Sequence, residues 1–154
     1  MYSNELILDI LKYIDNNINK KITIDELSNK FYFNKDYIMR LFKKELHLTI
    51  TDYINKKRIY NSLKELRNTN NLILKISLNN GFQSQEYYSE IFTKIIGTSP
   101  IFYRKAIKIN TEISEEEFNI IRKNLVNLIK TIKEIETYKK NIKTTETKKL
   151  SLFK

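Results

Sequence analysis

The chain has 154 residues, with 28 Lys+Arg against 18 Asp+Glu for a net charge of +10, 41% apolar residues, two Gly, one Pro and no Cys. That length holds about one domain and an appendage, and the scarcity of Gly and Pro favours helices. The lack of cysteine excludes disulfides, thiolate metal sites and thiol nucleophiles. No apolar run approaches the roughly 18 residues of a membrane span, and the start, Met1 to Leu6, lacks the basic and apolar blocks of a secretory signal, so a cytoplasmic protein is expected. Residues 1–105 carry 17 basic and 11 acidic side chains and residues 106–154 carry 11 and 7. A polyanionic partner suits the excess, but its even spread in a chain rich in Lys, Asn and Ile makes charge a weak guide alone.

Ser3 or Asn4 caps a first helix whose Ile7, Ile10, Leu11, Ile14 and Ile18 share one face, a core brace. Thr23 and Glu26 have capping-box spacing for a helix over 25–30, with Leu27 and Phe31 inward. Phe33 closes a turn, and Asn34 caps a helix over 35–45. There Ile38, Leu41 and Phe42 face the core, Tyr37 flanks them, and Lys35, Asp36, Met39, Arg40 and Lys43 fall on the opposite side. His47, the only histidine, has no partner at ligand or dyad spacing and reads as a turn residue. Thr49 with Asp52 starts a long helix over 50–67, whose apolar residues are Tyr53, Ile54, Ile59, Leu63 and Leu66. A helix over 73–80 follows, then a turn at Gly81 and a cap at Ser84. In the next helix Tyr88, Ile91 and Phe92 face inward, while Ser84, Gln85, Glu86, Ser89 and Thr93 face out. Ser99 caps the last short helix, with Pro100 at its first position.

One pattern is written twice. Ile24, Leu27 and Phe33 match Ile73, Ile76 and Phe82 at an offset of 49; Tyr37, Leu41, Phe42, Lys44 and Tyr53 match Tyr87, Ile91, Phe92, Lys94 and Tyr103 at 50. The second copy has gained one residue in its turn. Two helix-turn-helix units, about 23–45 and 72–95, joined by a connector over about 50–67, make an all-α domain of residues 1–105.

Residues 106–154 form a helical extension. Ser114 and Glu117 make a capping box, and Phe118, Ile121, Leu125, Leu128, Ile132 and Ile135 step 3-4-3-4-3 into a heptad seam over about 115–142. The seam has two readings: it packs on its own domain as an amphipathic helix widened by Val126 and Ile129, or it pairs with a second copy or a partner helix. Residues 143–154 read as a frayed basic end.

Arg40-Leu41-Phe42-Lys43-Lys44-Glu45 with Thr49, and Gly81-Phe82-Gln83-Ser84-Gln85 with Gly97-Thr98-Ser99-Pro100 and Tyr103-Arg104, resemble the AraC/XylS transcription regulators over residues 4 to 105. The likeness is greatest to short stress-response members without a ligand-binding domain. It implies double-stranded DNA as partner, RNA polymerase as a second one, no cofactor and no metal. In such a domain the second helix of each unit enters the major groove. Lys35, Asp36, Met39 and Arg40, and Ser84, Gln85, Glu86 and Ser89, are then the base readers; Lys43, Lys44, Thr93, Lys94 and Arg104 are phosphate contacts. A guanidinium at 40 can bridge guanine O6 and N7, and an amide at 85 can pair with adenine. Arg58 matches a family arginine with a structural role. The chain departs from the family at His47, where Gly is usual, at Asn80, an apolar position, and at Glu90 and Thr93, both commonly basic. Glu90 would repel phosphate, so the competing function is a partner-binding or anti-regulator module acting through the tail with partial DNA binding. An enzyme is not expected, for want of a phosphate-binding glycine loop, a metal cluster or a nucleophile-base pair.

Overall fold

The computed structural model describes residues 3–108 and 112–152, and among them every regular element is an α-helix. The order is α1 (Ser3–Asn16), α2 (Ile24–Phe31), α3 (Lys35–Leu46), α4 (Ile50–Asn68), α5 (Ile73–Asn79), α6 (Gln85–Ile96), α7 (Pro100–Ala106) and α8 (Glu115–Ser151). Helix starts follow the cap residues. Thr23, Asn34, Thr49, Ser84, Ser99 and Ser114 each accept a hydrogen bond from a backbone N–H two or three residues on. Each such bond satisfies an otherwise orphaned donor and stabilises by about 1 kcal/mol. At Thr23 only half of the expected box forms: Glu26 instead accepts from the Tyr13 hydroxyl at 2.6 Å, tying α2 to α1. Tyr32, His47 and Gly97 end α2, α3 and α6 in the left-handed region, so His47 is the turn residue expected.

Two cores lie along α4. Leu6, Ile7, Ile10, Leu11 and Ile14 of α1 close on Leu27, Ile38, Phe42, Tyr53 and Ile54 to form unit 1. Ile59 and Leu66, farther along α4, close on Ile76, Phe82, Tyr88, Phe92, Ile96 and Tyr103 to form unit 2. α4 is therefore the last wall of the first unit and the first wall of the second. Its buried polar groups are satisfied: the Ser62 hydroxyl donates to Ile59 O and accepts from Tyr88, and Asn55 donates to the Tyr87 hydroxyl. Asn80, at a position the family fills with an apolar residue, is buried but satisfied, its amide donating to Ile76 O at 2.7 Å.

Two arginines clamp helix ends. Arg58 of α4 donates from Nε to Ile18 O at 2.9 Å and from Nη2 to Lys20 O at 2.6 Å, holding the chain just after α1. Arg104 of α7 repeats the device, donating to Leu66 O in the last turn of α4 at 3.1 Å and to Asn71 O just after it at 2.7 Å. Arg58 also lies over the Phe82 ring, and a Cβ on Gly81 would come within 2.4 Å of Ile18 O, so units 1 and 2 meet along this seam.

The tail corrects one expectation and takes the first of the two readings left open for its seam. The helix runs through Ser151 rather than fraying at 143. Its heptad seam also faces its own domain: Ile121, Leu128 and Ile132 are buried in the unit 2 core, Ile135 is buried in the unit 1 core, and Tyr138 packs beside it. Leu125 is half-buried against unit 2, whereas Phe118, at 53% exposure, precedes the contact. Val126 and Ile129 do not widen the buried stripe; they lie on the solvent side. Ile121, Leu125, Leu128, Ile132 and Ile135 are thus not a free coiled-coil surface, because the domain already supplies their opposing apolar face. Polar contacts hold α8 at both ends. Asn124 donates to Ile96 O at 2.8 Å, and Tyr138 donates to Glu45 at 3.5 Å. Lys139 bridges Asp15 and Glu136, with Tyr53 also donating to Asp15 at 2.7 Å. Burial opposes the Lys139 charge, but hydrogen bonds to the two carboxylates outweigh it and hold its pKa above the usual lysine value. Burial together with Glu45 pushes the Tyr138 phenol up to about 12.

Candidate nucleic-acid interface

α3 and α6 hold equivalent places in their units. Buried Ile38, Leu41 and Phe42 fix α3 on α1, α2 and α4; Tyr88, Phe92 and Ile96 fix α6 on α4, α5 and α7. The opposite faces are left to solvent. On α3, Lys35, Asp36, Met39, Arg40, Lys43 and Lys44 are all exposed. Phe33 stacks on Tyr37 at 5.3 Å and stiffens the turn that enters this helix. Among the described residues Arg40 makes one hydrogen bond, from Nε to the backbone O of Asp36 at 3.3 Å. The Asp36 carbonyl, not its carboxylate, orients the guanidinium. Lys35 is paired with Asp25 of α2, and Lys43 reaches the His47 carbonyl at 3.4 Å.

α6 is different in charge and in reach. Glu86, Glu90, Thr93 and Lys94 are exposed, whereas Ser84, Gln85 and Ser89 are half-buried. Ser84 already accepts from Tyr87 N as a cap. The expected readers of unit 1 therefore stand clear, while three of the four in unit 2 sit partly behind their neighbours. The outward side of α3 carries four cations and one carboxylate; that of α6 carries one cation and two carboxylates. α8 holds Ile96 of α6, shares a groove with Ile91, Lys94 and Ile95, and reaches unit 1 at Glu45 and Asp15, while Arg40 of α3 and Glu86, Glu90 and Thr93 of α6 stay exposed.

Arg104 corrects the phosphate assignment. Its guanidinium is turned into the protein, spent on the Leu66 and Asn71 carbonyls, and among the described residues the buried Nη2 has no hydrogen-bond partner. Sequence reasoning also missed Asn55, Ser62 and Ser77 as buried polar residues; nothing in their spacing marks them. Among the described residues no group of three His, Cys, Asp or Glu is placed to hold a metal ion, and no helix is long and apolar enough to cross a membrane.

A sequence model described as a helix-turn-helix domain matches residues 27–106, more than half of the chain. The Tn10 transposon TetD protein of Escherichia coli is 34% identical over 104 residues, 68% of this chain and 75% of that protein. Regulatory protein SoxS of Escherichia coli (strain K12) is 32% identical over 104 residues, 68% of this chain and 97% of that protein. The chain belongs to the AraC/XylS family of transcription regulators. The AraC/XylS fold is also that of the AdpA DNA-binding domain, solved with a target DNA, with TM-score 0.61 at 16% identity over 65% of this chain and 90% of that one. As an AraC/XylS member the protein is a DNA-binding transcription regulator and not an enzyme. The SoxS match takes up nearly all of that protein, and the helix-turn-helix match ends at 106, so α8 lies outside both the matched domain and almost all of SoxS.

Proposed function

We propose that this regulator reads an asymmetric duplex site through two successive major grooves, with unit 1 supplying most of the affinity and unit 2 a smaller, shape-dependent share. The exposed basic face of α3 carries the reading, with Arg40 standing clear of the protein and Lys43 and Lys44 flanking it. A guanidinium so placed suits guanine O6 and N7, and the lysines suit phosphates. Half-buried Gln85 and Ser89 read fewer base edges, and Glu86 and Glu90 oppose the backbone on either side of the groove. That the AdpA domain, which shares this fold, was solved with a target DNA supports duplex DNA as the partner, and two helices reading successive major grooves would stand about 34 Å apart. Action in the cytoplasm through contact with RNA polymerase completes the proposal.

The test is binding of the full chain to duplexes selected from a random pool, followed across salt. Arg40→Ala should cost about 1–3 kcal/mol and relax preference at one base position, whereas Lys43→Ala should weaken all sequences alike and lower the salt slope by about 0.9. Uniform loss from Arg40→Ala would make it a phosphate contact. Failure to select any sequence would overturn the reading.

A further inference from the structure

The tail helix touches both reading units and leaves Arg40 of α3 and Glu90 of α6 exposed. From Ile121 in the unit 2 core to Lys139 at α1 it runs about 27 Å, at 1.5 Å per residue. Along that run it is fastened by apolar contact and by directed polar bonds at each end. At unit 2, Ile121, Leu128 and Ile132 are buried and Asn124 holds the last carbonyl of α6. At unit 1, Ile135 is buried, Tyr138 meets Glu45 of α3, and Lys139 closes on Asp15. Glu136 also reaches Lys57 of α4 at 3.9 Å, so the connector is gripped midway.

We propose that α8 is a splint that sets the distance and angle between α3 and α6, making Asn124, Ile135 and Lys139 positioning residues for the choice of site spacing. A lone connecting helix can bend and twist about its own axis. The Arg58–Gly81 seam braces one flank of α4, and α8 braces another: Tyr53 and Lys57, which meet its partners, lie roughly 100–140° round α4 from Arg58. Turning one unit against the other must slide α8 over a core and part Lys139 from Asp15. A duplex imposes a matching demand. One inserted base pair moves the second groove by about 3.4 Å and turns it by about 34°, which a braced pair of helices cannot follow.

The protein lacks cysteine, so two spin labels can be placed cleanly, at Asn29→Cys on exposed α2 and Lys75→Cys on exposed α5. Pulsed dipolar spectroscopy on the full chain should give a narrow distance distribution, broadened by Ile135→Ala with Lys139→Ala and left narrow by Lys139→Arg alone. Should the double variant unfold, Lys139→Ala alone makes the comparison. An unchanged distribution overturns the splint whether or not DNA is bound. The second arm, which rests on the two-groove reading, uses selected duplexes with and without one inserted base pair. The unaltered chain should lose at least about tenfold on the insertion, and the double variant should discriminate several-fold less. Equal discrimination by both overturns the role in site choice. Absence of any selected site sinks the two-groove reading instead, and the distance measurement still decides the splint.

Discussion

Arg104 separates a structural arginine from a DNA-binding one in a single experiment. Replacing it by alanine removes charged donors from the Leu66 and Asn71 carbonyls at 3.1 and 2.7 Å. Hydrogen bonds to charged groups contribute about 1.5–3 kcal/mol each. The site is only part-buried, and removing the unpartnered Nη2 returns some desolvation, so the net loss should be about 2–4 kcal/mol. For a protein of this size that is a fall in Tm of about 6–12 °C. DNA binding should respond differently. A lost phosphate contact lowers the slope of log K against log salt by about 0.9, which between 50 and 200 mM salt changes the relative affinity about 3.5-fold. Fluorescence anisotropy of a labelled duplex, well below either melting point, should find the slope of Arg104→Ala unchanged while that of Lys43→Ala falls. A variant that melts with the parent and loses about one unit of slope would return Arg104 to the DNA surface.

Glu90→Arg should strengthen duplex binding and raise the salt slope by about 0.9, because Glu90 is exposed on the outer face of α6; unchanged affinity would take that face off the DNA. Gly81→Ala should cost about 2–4 kcal/mol in urea unfolding, since φ is +86° and the new methyl would stand 2.4 Å from Ile18 O. A loss below about 1 kcal/mol would show the seam to be loose. Tyr32→Gly should stabilise by about 0.5–1 kcal/mol, because Tyr32 is 92% exposed and held at φ 60°; a lower Tm would mean that its ring has work in the folded chain.

The helices were legible in the sequence because their caps are local. Asn34, Thr49, Ser84 and Ser114 act on donors two or three residues away, and so act alike in any fold. The faces of α3 were legible for the same reason, since periodicity fixes which side Ile38, Phe42 and Arg40 take. Two things were not. A guanidinium on a short helix looks the same whether it meets a phosphate or a carbonyl, and the carbonyls of Leu66 and Asn71 lie more than thirty residues from Arg104. A heptad seam states that an apolar partner exists without stating whose it is. Here α1, α4 and α6 supplied it, through residues whose own periodicity was already used to explain the two units.

Because α4 is common property of both units, the protein has no internal seam at which it could be divided into two working halves. Assign α4 to one side and the other is left with an open core, either Leu27, Ile38 and Phe42 without Tyr53, or Ile76 and Tyr88 without Ile59 and Leu66. Damage at either end should therefore be felt at the other as a single cooperative collapse. A cell would meet this regulator whole or not at all.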